Sequence, residues 1–255
     1  MTHFSFRFTE YAAQLVCEPL DLQLMDAVVR EIPREALRVH RGREGYQLLS
    51  PQGSTQGSLT PWQLRLHTHF FDGFEEPEAH GRRDPYFLRK LAAVAEALQK
   101  QGASLSFVGV TQRARARLDP DMQDEARQAV REALVQGRGL LSASAELYDF
   151  SLRVSRYLGD SGFFNTTVSW YQTRVYRDTP LPPGQAVLLQ PWQGEVEEEG
   201  IELLFDMNNK RGLFEGKKDW TWEEMRDVVE EGMRAIEPAL SSLRSSIENA
   251  WPVPQ

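Results

Sequence analysis

At 255 residues, with 41% hydrophobic and 26% charged positions, the chain has the balance of a folded protein with a sizeable core, not of a disordered one. Its net charge of −8 repels phosphate backbones on average, which argues against general nucleic-acid binding, and no apolar run reaches the roughly 18 residues of a membrane-spanning helix. A single cysteine, Cys17, excludes an internal disulfide and an all-thiolate metal cluster.

Residues 2–8, THFSFRF, alternate polar and apolar side chains and predict a half-buried strand. The N-terminus has no basic segment leading into an apolar run, so no secretory signal is expected and the expected location is the cytoplasm. From Asp21 to Glu31, Leu22, Met25, Val28 and Val29 recur at helical spacing, and the pattern stops before Pro33. Tyr46 to Leu49 and Trp62 to Phe71 predict strands, separated by the turn-rich SPQGSTQGS.

Two helices follow with matching punctuation, Asp84-Pro85 to Gly102 and Asp119-Pro120 to Gly137. Each precedes a β-like run, SLSFVGV and then LLSASAEL. Capping rules common to any chain with helices and strands explain this better than a duplication. From about residue 140 the chain turns β-rich. YDFSLRVSRYL, FFNTTVSWYQTRVY, QAVLLQPW and IELLFDM predict strands, split by a PLPPG loop and an acidic EVEEEG turn. Thr221 with Glu224 forms a capping box for the last helix. Trp222, Met225, Val229, Ile236, Leu240, Leu243, Ile247 and Trp251 stripe one face of it. Gly232 lies on that stripe, where a neighbouring backbone can come close, and Pro238 predicts a kink near Glu237. This order predicts an α+β fold, a largely antiparallel sheet crossed by a long kinked C-terminal helix. Residues 1–255 are expected to form a single domain, with any division into sub-lobes near 115–140.

In LRLHTHFFDGF (64–74), strand alternation puts Leu64, Leu66, Thr68 and Phe70 on one face and Arg65, His67, His69 and Phe71 on the other. His67 and His69 therefore share a face at a separation a metal ion can bridge. Asp72, His80 or Asp84 would have to supply a third ligand, and Arg65 opposes a cation. The ligand set is incomplete, so no metal cofactor is expected.

TQRARARLD (111–119) sets Arg113, Arg115 and Arg117 on one strand face, a ladder suited to an anionic surface. RVHRGR adds Arg38, Arg41 and Arg43, and the two clusters make a local anion contact if the fold unites them. RGLFEGKKDWTW fails as a phosphate-binding loop: three residues rather than four separate Gly212 from Gly216, and Lys218 stands where Ser or Thr is required. Asp206 is expected in an Asx turn, and Cys17 as an inert core residue. In WYQTRVY (170–176), alternate aromatics can line a pocket or simply fill the core.

No G-x-S-x-G elbow, H-E-x-x-H pair, C-x-x-C pair or G-x-G-x-x-G turn occurs. Arginine outnumbers lysine 24 to 5, which suggests a GC-rich bacterial genome. The sequence thus points to a non-enzymatic protein that binds a protein partner in a bacterial cytoplasmic complex, with no cofactor. The alternatives are a metal-dependent hydrolase centred on His67 and His69, and a small-ligand binder with its pocket between the sheet and the C-terminal helix.

Overall fold

A computed structural model describes residues 5–51, 53–70, 83–118, 123–135, 151–175 and 194–250. Its centre is β1 (Arg7–Cys17), whose alternation buries Tyr11, Ala13, Leu15 and Cys17 on one face. Helix α1 (Leu22–Glu31) follows, opened by the Asp21 carboxylate, which accepts the Leu24 N–H at 2.7 Å. A meander of β2 (Arg38–Arg41), β3 (Tyr46–Leu49), β4 (Thr55–Leu59) and β5 (Gln63–His69) returns the chain to pair with β1. Helix α2 (Arg83–Lys100) comes next, then the long β6 (Leu105–Arg117), α3 (Gln123–Val130) and a five-residue π-helical turn at Arg131–Val135. The chain continues through β7 (Ser151–Leu158), β8 (Gly162–Val175), β9 (Glu195–Asn208), α4 (Lys210–Phe214), α5 (Trp222–Arg234) and α6 (Ile236–Asn249).

The nine strands among the described residues join one antiparallel sheet in the order β2-β3-β4-β5-β1-β6-β9-β8-β7. The two halves of the chain repeat one plan: a long strand, a helix, a meander whose last strand pairs with that long strand, then a helix. They meet where β1 and β6 lie side by side. The duplication hint in the sequence pairs the wrong helices, since α2 matches α5 in this plan and α1 matches α3.

The core lies on one face. Leu64 and Leu66 of β5, Val108, Val110 and Ala114 of β6, and Leu203, Phe205 and Met207 of β9 are buried against Phe87, Leu91 and Val94 of α2 and Met225 and Val229 of α5. Thr221 and Glu224 complete the predicted capping box. A Cβ at Gly232 would stand 2.6 Å from Met207 Cβ, so the close neighbour there is a β9 side chain, not a backbone. The break between α5 and α6 falls at Ala235. Pro238 has no N–H for the Arg234 carbonyl four residues back, and its ring crowds that group. No described helix is long and apolar enough to cross a membrane.

Several boundaries differ from expectation. The N-terminal strand starts at Arg7 and runs through YAAQLVC, because its burial alternation continues where the sequence shows small apolar residues. SPQGSTQGS holds the first four residues of β4, whose Gly57 is needed because a Cβ there would meet the Arg65 carbonyl oxygen at 2.4 Å. EVEEEG is the first half of β9, not a turn. SLSFVGV and TQRARAR are one strand, β6. LLSASAEL, QAVLLQPW, PLPPG, Asp119, Pro120 and Trp251 lie outside the described residues.

Candidate functional site

The helices pack on the sheet face that carries Tyr11, Leu66, Val110 and Phe205, so alternation turns the intervening residues to the other face. Two registered rows cross it. Gln56, His67, Ala12, Thr111 and Asp206 align across β4, β5, β1, β6 and β9, and Ser58, Arg65, Gln14, Gly109 and Asn208 form the next row. Ala12, Gly109 and Thr111 are short, and longer side chains on the flanking strands rise around them. The result is an open depression of about 750 Å³, rimmed by Gln14, Gln56, Arg65, His67, Asp206 and Lys210.

Charge pairing on this face is uneven. Asp206 accepts hydrogen bonds from Asn165 Nδ2 at 2.9 Å and Asn208 Nδ2 at 3.1 Å, and lies 3.6 Å from Arg153. Glu202 holds Arg115 Nε at 2.8 Å and Arg113 Nε at 3.7 Å. Arg65 and Lys210, by contrast, meet no carboxylate among the described residues. Lys210 Nζ lies 5.8 Å from the centre of the Phe107 ring. Two cations that meet no carboxylate among the described residues thus face one depression, with Asp206 also on its rim.

At the edge of the depression stands a tighter cluster. His67 Nε2 lies 2.8 Å from Glu10 Oε1. Arg113 Nη1 approaches the other Glu10 oxygen at 3.4 Å. His69, the cross-strand partner of Glu10, packs edge-on to His67 with ring centroids 4.1 Å apart. Partial burial pushes the Glu10 carboxyl up, but the His67 hydrogen bond and the Arg113 charge outweigh it and hold the group below its ordinary value. A second cavity of about 650 Å³ borders His69 and is lined by Arg7, Arg115, Arg117 and Glu198. Arg7 and Arg115 are direct cross-strand partners in it.

The shared face of His67 and His69 is as expected, while the third group beside them is Glu10, which sequence inspection passes over. Asp84 is on the far side of the sheet, accepting from Tyr11 Oη at 2.6 Å and Gln112 Nε2 at 3.3 Å. Asp72 and His80 lie outside the described residues. Of the arginine ladder, Arg113 and Arg115 share Glu202, Arg115 also lies 4.6 Å above the Tyr171 ring, and Arg117 is exposed. Arg38 and Arg41 lie on the edge strand β2, and Arg43 just after it. Four strands intervene between β2 and β6, a separation of roughly 24 Å at about 4.8 Å per strand. The fold therefore does not unite the two basic clusters.

Asp206 sits within β9, and the turn after that strand is made instead by Asn208, whose Oδ1 accepts the Lys210 N–H at 3.2 Å. In the rejected phosphate loop, Lys217 pairs with Glu224 at 2.5 Å, and Gly212 makes room for the Trp220 ring. Trp170 is buried and donates to Glu199 at 2.5 Å; Tyr171 donates to Glu198. Burial pushes the Cys17 thiol up to about 11, in keeping with an inert core residue.

No protein-family model matches the chain, and no curated protein matches it in sequence.

Proposed function

We propose that the protein is a ligand-binding protein whose open sheet face receives a small anionic molecule rich in hydrogen-bonding groups. The carrying observation is the pair Arg65 and Lys210, two cations with no carboxylate partner among the described residues, on the rim of one depression. Its volume of about 750 Å³ falls within the range of small-molecule sites, roughly 300–1,000 Å³. The amides of Gln14, Gln47 and Gln56 offer donors and acceptors around a floor of small residues. On this reading the pocket lies on the sheet face opposite the C-terminal helix, whose Gly232 is in tight contact with Met207 of β9.

The test is a thermal-shift screen against di- and tricarboxylates and sugar phosphates. An anion that raises the melting temperature of the natural protein should lose its effect in Arg65→Glu and Lys210→Glu. It should keep that effect in Arg226→Glu, whose residue lies on α5. Equal shifts in all four proteins exclude the depression.

A second reading, a protein partner, is favoured by a separate patch. Tyr157 and Phe214 are 69% and 79% exposed. Phe163 lies between them, its ring 5.7 Å from Tyr157 and 6.3 Å from Phe214, and Arg211 stands 4.5 Å above Tyr157. Clustered aromatics with arginine are the composition of interface hot spots. Tyr157→Asp with Phe214→Asp should abolish a stoichiometric protein complex while leaving anion binding intact; a complex that survives both substitutions places the interface elsewhere.

A further inference from the structure

The geometry points to a divalent-metal site formed by Glu10, His67 and His69, with zinc as the best-matched ion. Each residue offers one ligand atom, and the three atoms lie within 4.8 Å of one another. Two neutral imidazoles and one carboxylate are a donor set of the kind found in open zinc sites, where three protein ligands leave further positions to water or an anion. The set is assembled by rigid elements. His67 and His69 are two residues apart on β5, and the β1–β5 register places Glu10 directly opposite His69 and two residues from Ala12, the partner of His67.

Arg113 is the obvious objection, since a guanidinium next to a metal site costs affinity. Its position answers part of it. Nη1 takes the Glu10 Oε2 side at 3.4 Å, while its Nε turns toward Glu202 at 3.7 Å. Oε1, the oxygen 2.8 Å from His67 Nε2, is the one that faces the imidazoles. Arg113 thereby fixes the carboxylate rotamer and leaves the inner oxygen for the ion, the way outer groups orient metal ligands. In the metal-free protein a hydrogen bond joins Glu10 to His67. Binding replaces that hydrogen bond with bonds from both groups to the ion, and His67 ligates as the neutral imidazole through Nε2 with its ring proton on Nδ1.

The three ligands stand between the two cavities, His67 on the wall of one and His69 on the wall of the other. The open positions of the ion are therefore reachable from both. The site has three protein ligands and partial exposure, so it is an exchangeable site and not a closed structural one. It does not depend on the anion reading, since neither Arg65 nor Lys210 is a ligand.

The test is calorimetric titration of zinc chloride into the full chain purified without an affinity tag, in a buffer free of carboxylates and phosphate. One zinc per chain is expected, in the micromolar range. Glu10→Gln, His67→Ala and His69→Ala should each weaken it about tenfold or more, while Asp206→Asn and Lys210→Glu leave it unchanged. His69 is exposed, so His69→Ala keeps the fold, which circular dichroism checks for each variant. Cobalt substitution supplies a second readout, a visible absorption that shifts when Glu10 is replaced. No binding at millimolar zinc overturns the site. So does unchanged affinity in a folded Glu10→Gln, which reduces it to a surface pair of histidines.

Discussion

Glu10 and Arg113 are direct cross-strand partners on β1 and β6, with Nη1 3.4 Å from Oε2, at the seam where the two halves of the chain meet. The same carboxylate takes His67 from β5 on its other side. One residue thus ties the histidine strand of the first half to the arginine strand of the second. Beyond it Glu202 extends the chain of charges to β9. The open face is therefore held in shape by its own ion pairs, and Arg65 and Lys210, which meet no carboxylate among the described residues, stand out against that order.

Acid should loosen this seam. The folded Glu10 carboxyl ionises below its ordinary value of 4.5, so the stability it contributes is complete above about pH 4.5 and is lost as pH falls through the folded value. Replacing Glu10 by Gln should lower the urea midpoint at pH 7 and make little difference at pH 3. An equal loss at both pH values would mean that the carboxylate charge contributes nothing there.

The C-terminal helix should prove integral to the fold. Trp222 is 3% exposed, and truncating a buried tryptophan to alanine costs about 3–5 kcal/mol. Deleting residues 221–255 should abolish cooperative unfolding. An unchanged melting temperature after that deletion contradicts the packing described.

Gly232 should tolerate no side chain while Met207 is present. The clash at 2.6 Å predicts that Gly232→Val destabilises by about 1–3 kcal/mol, the usual range for overpacking. Combining it with Met207→Ala should cost less than the sum of the two single changes, because the residues touch. Strict additivity in denaturant melts would show that they do not meet.

Cys17 should react slowly. With its thiol raised to about 11 by burial, little thiolate exists at pH 7.5 and the sulfur is shielded. A disulfide reagent should modify it only as fast as the protein unfolds. Rapid modification of the folded chain would place Cys17 outside the core.

Much of this architecture is legible in local patterns. Alternation alone puts His67 and His69 on the face opposite Leu64 and Leu66, and Thr221 with Glu224 marks the last helix. What is not legible depends on register. Glu10 reaches His67 only because β1 and β5 pair as they do, and nothing in THFSFRFTEY signals a partner more than fifty residues later. The β4 strand hides in a Gly/Ser-rich stretch that local turn chemistry favours, and tertiary pairing overrides that preference. The acidic start of β9 looks like a turn because it is exposed on both sides of the first few residues. The arginine ladder is correctly placed on one face, but its carboxylate partner Glu202 comes from a strand that only the fold brings alongside.

The depression between Arg65 and Lys210 carries the functional account, and amide chemical-shift mapping addresses it most directly. Titrating the anion selected by thermal shift into isotope-labelled protein should move the amides of Ala12, Gln14, Arg65, Gly109 and Lys210. The helix-face strand residues Leu203 and Phe205 should stay fixed. Shifts confined to the helix face, or a pattern unchanged in the Arg65→Glu, Lys210→Glu double variant, would contradict a ligand site on the open sheet.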